Sequence, residues 1–141
     1  NSFLKGSKVF AESDKTSLVI GCDTVVTLRS KKLDKPGTPA KAAATLKRLR
    51  GKKHYVYTAV TIFSVEKIVS FCVKSTVKIK NLTDEEIDKY IEEYKPLDKA
   101  GAYGIQDGVV VDSFEGDYYA IVGLPVKQLT EILKEFGVDV K

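Results

Sequence analysis

The sequence predicts an α/β or α+β fold in which a mixed, twisted sheet is flanked by helices. Two observations support this: β-rich runs that turn back as long hairpins, and amphipathic stretches with helix-capping residues between them. The predicted order is strand, helix, long hairpin, helix, hairpin and helix. The 141 residues are enough for one domain with a hydrophobic core, and also for two lobes around a cleft.

The first strand is predicted within residues 17–28, where apolar side chains flank a single acid, Asp23, and residues 1–12 before it form the end of a helix. Such a strand is expected to be buried on both faces. Since an unpaired buried charge costs several kcal/mol, we expect Asp23 where the sheet opens onto a cleft. The alternative is a turn aspartate between two short strands. Gly21 would let another backbone or a ligand approach closely.

A loop and a helix follow the first strand. Residues 31–37 end in Lys-Pro-Gly and are predicted to be a loop. Thr38 is a suitable N-cap and Pro39 a suitable first helical residue. Gly51 is predicted to end this helix as its C′ residue.

Two hairpins and two more helices complete the predicted fold. Residues 54–65 and 68–80 form the long hairpin, and residues 109–114 and 118–122 form a shorter one. Thr83 opens a helix with a capping box, and the tyrosines on its apolar stripe are expected in a core or an interface rather than stacked on bases. The last helix is amphipathic and begins after the second hairpin.

Bulk composition narrows the function classes. The net charge of +4 allows a polyanionic ligand such as a nucleotide, but it is too small for a nucleic-acid-binding signature. No apolar run is long enough to span a membrane. Cys22 and Cys72 lie in apolar strand-like runs, so we expect buried thiols and a reducing, cytoplasmic compartment. With one histidine and no Cys/His cluster, a metal would be a hard, oxygen-bound ion such as magnesium.

Two residues in the long hairpin have open roles. His54 is predicted to be a surface or capping histidine rather than a catalytic base. Thr58 is equally compatible with a plain strand position and with the lining of a cleft.

Candidate chemistry comes from polar residues at loop or strand-end positions: Asp23-Thr24, Lys35, residues 98–106, and Lys5. Lysines neutralise phosphate, a carboxylate can hold a metal or take a proton from water, and glycines expose backbone N–H groups to phosphate oxygens. No Walker A, Gly-x-Gly-x-x-Gly or Ser-His-Asp pattern is evident. These residues alone leave phosphate-ester chemistry and a generic binding domain as equal alternatives.

Ordered motifs along essentially the whole chain add a family resemblance. Residues 98–106, Asp-Lys-Ala-Gly-Ala-Tyr-Gly-Ile-Gln, match a family signature almost completely. The other matching segments are residues 19–26 (Val-Ile-Gly-Cys-Asp-Thr-Val-Val), 33–36 (Leu-Asp-Lys-Pro), 49–54, 58–60, 116–119, 122–125 and, more weakly, 5–9. With these motifs the sequence resembles the Maf-like nucleoside triphosphate pyrophosphatases, also called septum formation inhibitor proteins.

The resemblance implies a two-lobed α/β fold related to inosine triphosphate pyrophosphatases, with the nucleotide in the cleft. It implies release of pyrophosphate and a nucleoside monophosphate with a divalent metal, Mg²⁺ or Mn²⁺, and Asp23 as catalytic carboxylate and metal ligand. The form of the 98–106 loop resembles the branch acting on dTTP and UTP. The implied substrate-binding residues are Lys5 and Lys35 for the phosphates, Thr24 and Gln106 for the base, and Lys99.

The sequence departs from the family pattern at three places. The phosphate-binding Ala-Ser-x-Ser-Pro-Arg-Arg loop and a downstream glutamate do not occur, Asp107 replaces a glycine, and Ala120 replaces an asparagine. We therefore expect residues 1–141 to be one Maf-like domain, incomplete at its N-terminus and weakly active or inactive by itself.

The departures favour an alternative function, and the resemblance and the composition indicate the partners. The alternative is a non-catalytic nucleotide-binding regulator linked to cell division. The expected partner is a nucleoside triphosphate, with no nucleic acid polymer and no membrane. Apolar strand surface and the tyrosines allow a homodimer.

Overall fold

A computed structural model describes residues 2–12 and 18–138 of the chain. Its five strands form one antiparallel sheet in the order β2-β1-β3-β4-β5, with helices packed against it. Two short 3₁₀ turns, Ala100–Ala102 and Ile105–Asp107, follow the third helix. The elements are α1 Ser2–Glu12, β1 Val19–Leu28, β2 Lys31–Leu33, α2 Pro39–Leu49, β3 Lys53–Phe63, β4 Ile68–Ile79, α3 Asp84–Tyr94, β5 Val111–Glu115, α4 Tyr118–Val122 and α5 Val126–Glu135.

The α/β class and the flanking helices are confirmed, and the strand directions differ from the expectation. The ladders of β1 with β2 and of β4 with β5 are antiparallel. The expected mixed sheet is therefore corrected to an antiparallel one. None of the helices in the described ranges is long and apolar enough to cross a membrane.

The chain divides into two compact units, and β1, β3 and β4 contribute residues to both. The first unit comprises Asn1–Thr24, Thr58–Val73 and Asp117–Lys141; the second comprises Val25–Tyr57 and Lys74–Gly116. In the first unit α5 packs its apolar face onto the sheet. The buried members of that core are Val60, Ile62, Leu129 and Leu133.

In the same unit α1 lies directly against β1. A Cβ atom on Gly21 would stand 3.0 Å from the Gly6 backbone and would also collide with the Ser2 carbonyl. The expected close approach of a second backbone at Gly21 is therefore confirmed, because only a residue without a side chain leaves room for the helix.

The second unit holds α2 and α3, and both begin as predicted. The Thr38 hydroxyl accepts a hydrogen bond from the Lys41 amide at 3.2 Å. Thr83 and Glu86 form the capping box, with bonds of 2.9 and 3.1 Å. Local side-chain chemistry at a helix start is enough to fix it, because the partner lies three residues away. Leu46, Leu49, Ile87 and Tyr90 fill the core beneath these helices.

The predicted loop over residues 31–37 begins instead as a strand. Lys31–Leu33 pairs antiparallel with the end of β1. The turn between them is two residues long, and Arg29 and Ser30 both have positive φ, 51° and 66°. This is the geometry of a tight hairpin turn. The sequence gives a weak signal for this turn, because such turns usually contain asparagine or glycine and this one contains Arg29 and Ser30. Burial of Leu33 stabilises the strand pairing.

The second predicted hairpin is wrong in its second half, because Tyr118–Val122 is the short helix α4. The Asp117 carboxylate caps this helix by accepting the Tyr119 amide at 2.8 Å. Aromatic and β-branched residues indicated a strand, but the cap and the tertiary contacts of the buried Ala120 and Ile121 favour a helical turn.

Two expectations about burial are also corrected. Strand β1 is half-buried rather than buried on both faces, with Ile20 42% exposed. Cys72 is exposed, because the first half of β4 has one face open to solvent. Cys22 is half-buried and its thiol donates to the Gly123 carbonyl at 2.8 Å.

Candidate functional site

Asp23 and Thr24, both half-buried, lie side by side on β1 in the first unit. The Thr24 hydroxyl lies 3.4 Å from that of Thr58, which donates to the Ala120 carbonyl at 2.5 Å. Thr58 is buried. Thr58 therefore holds α4 against β3 beside Thr24, a contact that neither of its two predicted roles includes.

Alternation along β1 places Asp23 and Thr24 on opposite faces of the sheet. Cys22 and Thr24 face α4, since Cys22 bonds to Gly123 and Thr24 lies near the same glycine. Asp23 therefore shares a face with Gly21, the residue against which α1 packs. The candidate catalytic carboxylate and the candidate base-selecting threonine thus project in opposite directions.

Helix α1 also carries Lys5, the first of the predicted phosphate-binding residues. The side chain of Lys5 lies outside the described residues. The structure places Lys5 on α1, the helix that packs against the face of β1 that carries Asp23.

Lys35 lies in the second unit, in the loop after β2. It lines a cavity of about 530 Å³ whose described lining includes five cationic side chains and the acid Asp34. Asp34 is itself exposed and lies 3.7 Å from the Lys32 ammonium. Since cations outnumber the acid, this cavity attracts anions. The cationic residues are Lys31, Lys32, Lys35, Lys41 and Arg48.

The structure brings the loop containing Lys35 against the segment that leads to Lys99. The Gly37 amide donates to the Leu97 carbonyl at 2.9 Å, two residues away from each lysine. This bond connects two lysine-bearing loops that are far apart in the sequence.

Lys99 and Gln106 are brought together around Gly104. A Cβ atom at Gly104 would lie 2.6 Å from the Lys99 ammonium nitrogen and 3.2 Å from the Gln106 amide carbon. The Asp107 carboxylate oxygen would lie 3.1 Å away. The side chains of Lys99, Gln106 and Asp107 therefore converge on Gly104, and a side chain at this position would push the Lys99 ammonium aside.

The hydroxyl of Tyr90 holds this turn in place. It accepts the Gly104 amide at 3.0 Å and donates to Asp107 Oδ2 at 2.7 Å. Burial, reinforced by the Asp107 hydrogen bond, raises the pKa of Tyr90, so the group is a neutral donor. The prediction that this tyrosine lies in a core is confirmed, whereas its polar role was missed. The available signal was Asp107, a charged residue where the related family has glycine.

His54 is neither a surface nor a capping residue, which corrects the prediction. Its side chain is 2% exposed, and its Nε2 atom lies 2.6 Å from the Tyr103 hydroxyl. Burial lowers the pKa of His54 to about 4, so the imidazole is neutral near pH 7. The contact of His54 with Tyr103 thus holds residues 98–106, here called the signature segment, onto β3.

A metal site built from clustered protein side chains is not found in the described residues. Within residues 2–12 and 18–138 there is no group of three His, Cys, Asp or Glu side chains that could hold a metal. Magnesium commonly uses one or two carboxylates together with water and substrate phosphates. Asp23 is the predicted metal ligand, and its carboxylate has the oxygen donors that such an ion prefers.

The sequence model of the family described as "Maf-like protein" matches residues 2–136. A dTTP/UTP pyrophosphatase of Bacillus cereus (strain ZK / E33L) is 45% identical over 97% of this chain and 73% of its own length. A dTTP/UTP pyrophosphatase of Bacillus anthracis (strain CDC 684 / NRRL 3495) is 44% identical over the same shares.

Proposed function

The chain belongs to the Maf-like protein family, and from that premise we propose that it is a nucleoside triphosphate pyrophosphatase acting on dTTP and UTP. The reaction hydrolyses the bond between the α- and β-phosphates and releases a nucleoside monophosphate and pyrophosphate. The observation that carries the proposal is the convergence of Lys99 and Gln106 on Gly104, in a segment fastened to the Lys35 loop.

In this proposal the lysines bind the triphosphate. Lys35 and Lys99 reach it from two loops that the Gly37–Leu97 hydrogen bond holds together. Ammonium groups neutralise phosphate charge without demanding one geometry. Lys5, on α1 in the first unit, is proposed as a phosphate ligand from the motif resemblance alone.

Asp23 is the proposed catalytic residue. Its carboxylate accepts the proton of the attacking water, and general-base catalysis of this kind contributes about 10²–10⁴-fold to a rate. A divalent cation, Mg²⁺ or Mn²⁺, would be held by Asp23 and the substrate phosphates and would neutralise the charge of the leaving pyrophosphate.

Gln106 is the proposed base-selecting residue. Its side chain is exposed beside Gly104, and its amide offers both a donor and an acceptor. The exposed edge of thymine or uracil offers a matching N–H and carbonyl, so one amide can accept both bases. Thr24 faces α4 in the first unit. We propose it as a second base-selecting residue on the motif resemblance alone.

One observation favours a second candidate, a nucleotide-binding regulator without catalysis that is linked to cell division. Asp107 replaces a glycine of the family pattern, and its carboxylate lies 4.0 Å from the Lys99 ammonium, so this phosphate site departs from the pattern of the related pyrophosphatases. Calorimetry that detects dTTP binding to a protein that never releases pyrophosphate would support this candidate.

The place of action and the assembly are part of the proposal. We place the protein in the cytoplasm because Cys22 and Cys72 form no disulfide in the described structure. The exposed side chains of Tyr118, Tyr119 and Val122 are compatible with a homodimer.

The test is a pyrophosphate-release assay on the full-length protein with Mg²⁺ and a panel of canonical and modified nucleoside triphosphates. Turnover is expected for dTTP and UTP and should exceed turnover of the purine nucleotides. An absence of turnover with every nucleotide would contradict the enzymatic proposal.

A further inference from the structure

The carboxylate of Asp107 is a fixed anion directly after the signature segment. Its side chain is 15% exposed, and Oδ2 accepts the Tyr90 hydroxyl at 2.7 Å. Tyr90 is anchored in turn by the Gly104 amide and is buried in the core. Asp107 therefore cannot move without breaking a hydrogen bond to a buried side chain.

Lys99 is the more exposed member of the same cluster. Its ammonium nitrogen lies 4.0 Å from Asp107 Oδ2, and its side chain is 35% exposed. It lies over the Cα atom of Gly104, where any side chain would displace it. A lysine has a flexible four-carbon stem, so its ammonium can leave the carboxylate while the carboxylate stays in place.

The chemistry of the cluster makes Asp107 an obstacle to a polyanion. The Asp107 carboxylate offsets part of the attraction that the Lys99 ammonium exerts on a triphosphate. The same carboxylate also repels the triphosphate directly. An uncharged residue at this position would impose neither effect.

We propose that Asp107 is a built-in competitor for Lys99: it holds the ammonium on Gly104 in the resting protein and yields it to the substrate phosphates, which weakens nucleotide binding. This inference rests on the proposed function, since it takes Lys99 as a phosphate-binding residue. Asp107 acts through Lys99 and touches no reacting atom, so it is a positioning residue rather than a catalytic one.

Asp107→Asn in the full-length protein separates charge from structure. The amide oxygen can still accept the Tyr90 hydroxyl, so the turn stays fixed while the negative charge is lost. We expect KM for dTTP to fall about three-fold, the size of effect that a partly exposed ion pair gives, while kcat stays the same. Because salt screens such charges, the difference in KM should shrink as the salt concentration rises.

Asp112→Asn is the matched control. Asp112 also pairs with a lysine in the second unit, with Oδ2 3.9 Å from the Lys78 ammonium. It lies on β5, outside the signature segment. The control removes the same charge, and KM for dTTP should not change.

A second readout does not require catalysis. Brief acetylation of lysines followed by mass spectrometry measures the accessibility of the Lys99 amine. We expect faster labelling of Lys99 in Asp107→Asn than in the unaltered protein, faster labelling of Lys78 in Asp112→Asn, and protection of Lys99 by dTTP in both Asp107 forms.

The outcomes separate the two proposals. Equal KM and equal Lys99 labelling in Asp107→Asn and the unaltered protein would overturn the competitor role, and so would a failure of dTTP to protect Lys99. An unaltered protein that releases no pyrophosphate contradicts the enzymatic function alone, and the labelling of Lys99 then still decides whether Asp107 holds it.

Discussion

The Nε2 atom of His54 lies 2.6 Å from the Tyr103 hydroxyl oxygen, with both side chains buried in the second unit. Burial lowers the pKa of His54 from 6.5 to about 4. Between pH 6.5 and about pH 4 this histidine is therefore protonated in the unfolded chain and neutral in the folded protein. The free energy of unfolding is expected to be largest above pH 6.5 and to decrease by up to about 3 kcal/mol as the pH falls to 4.

This dependence is checked by urea unfolding of the full-length protein and of His54→Gln between pH 7 and 4. Acidic groups contribute to both proteins, so the difference between the two curves isolates the histidine. A constant difference across this range would show that the imidazole is not a buried neutral group in the folded protein.

The packing of α1 on β1 gives a second prediction. Gly21→Ala places a Cβ atom against the backbone of Ser2 and Gly6, and backbone cannot yield as a side-chain end can. We expect the free energy of unfolding to fall by about 1–3 kcal/mol, the usual cost of overpacking. Thermal and denaturant unfolding measure this, with Val65→Ala as the control because Val65 is 69% exposed in the same unit. Equal stability of Gly21→Ala and the control would show that the helix does not lie on this glycine.

Lys35 gives the third prediction. Lys35→Ala removes one of the five cations that line the cavity described above. KM for dTTP should rise about ten-fold, since a hydrogen bond to a charged group contributes about 1.5–3 kcal/mol. Lys53→Ala removes an exposed cation from the start of β3 and serves as control. Equal KM values for these two variants would exclude Lys35 from the phosphate site.

The features that could be predicted from sequence are those whose partners are close in the chain. The caps at Thr38 and Thr83 each involve an amide three residues away. The requirement for glycine at position 21 was also visible, because a glycine inside a strand often marks the place where a second backbone approaches closely.

What could not be predicted depends on distant partners. His54 meets Tyr103, 49 residues away, and Tyr90 meets Asp107, 17 residues away. The strand alternation that separates Asp23 from Thr24 becomes visible only when α4 and α1 are placed on opposite faces. The candidate residues were thus identified from motifs, whereas their orientation is a tertiary property.

The most direct measurement compares pyrophosphate release from dTTP by the full-length protein and by Asp23→Asn, together with dTTP binding by calorimetry. The variant keeps the size of the side chain and removes the proton acceptor. We predict a loss of turnover of about 10²–10⁴-fold with binding largely retained, and no loss in the surface control Asp112→Asn. Unchanged turnover in Asp23→Asn would contradict the assignment of Asp23 as the catalytic carboxylate.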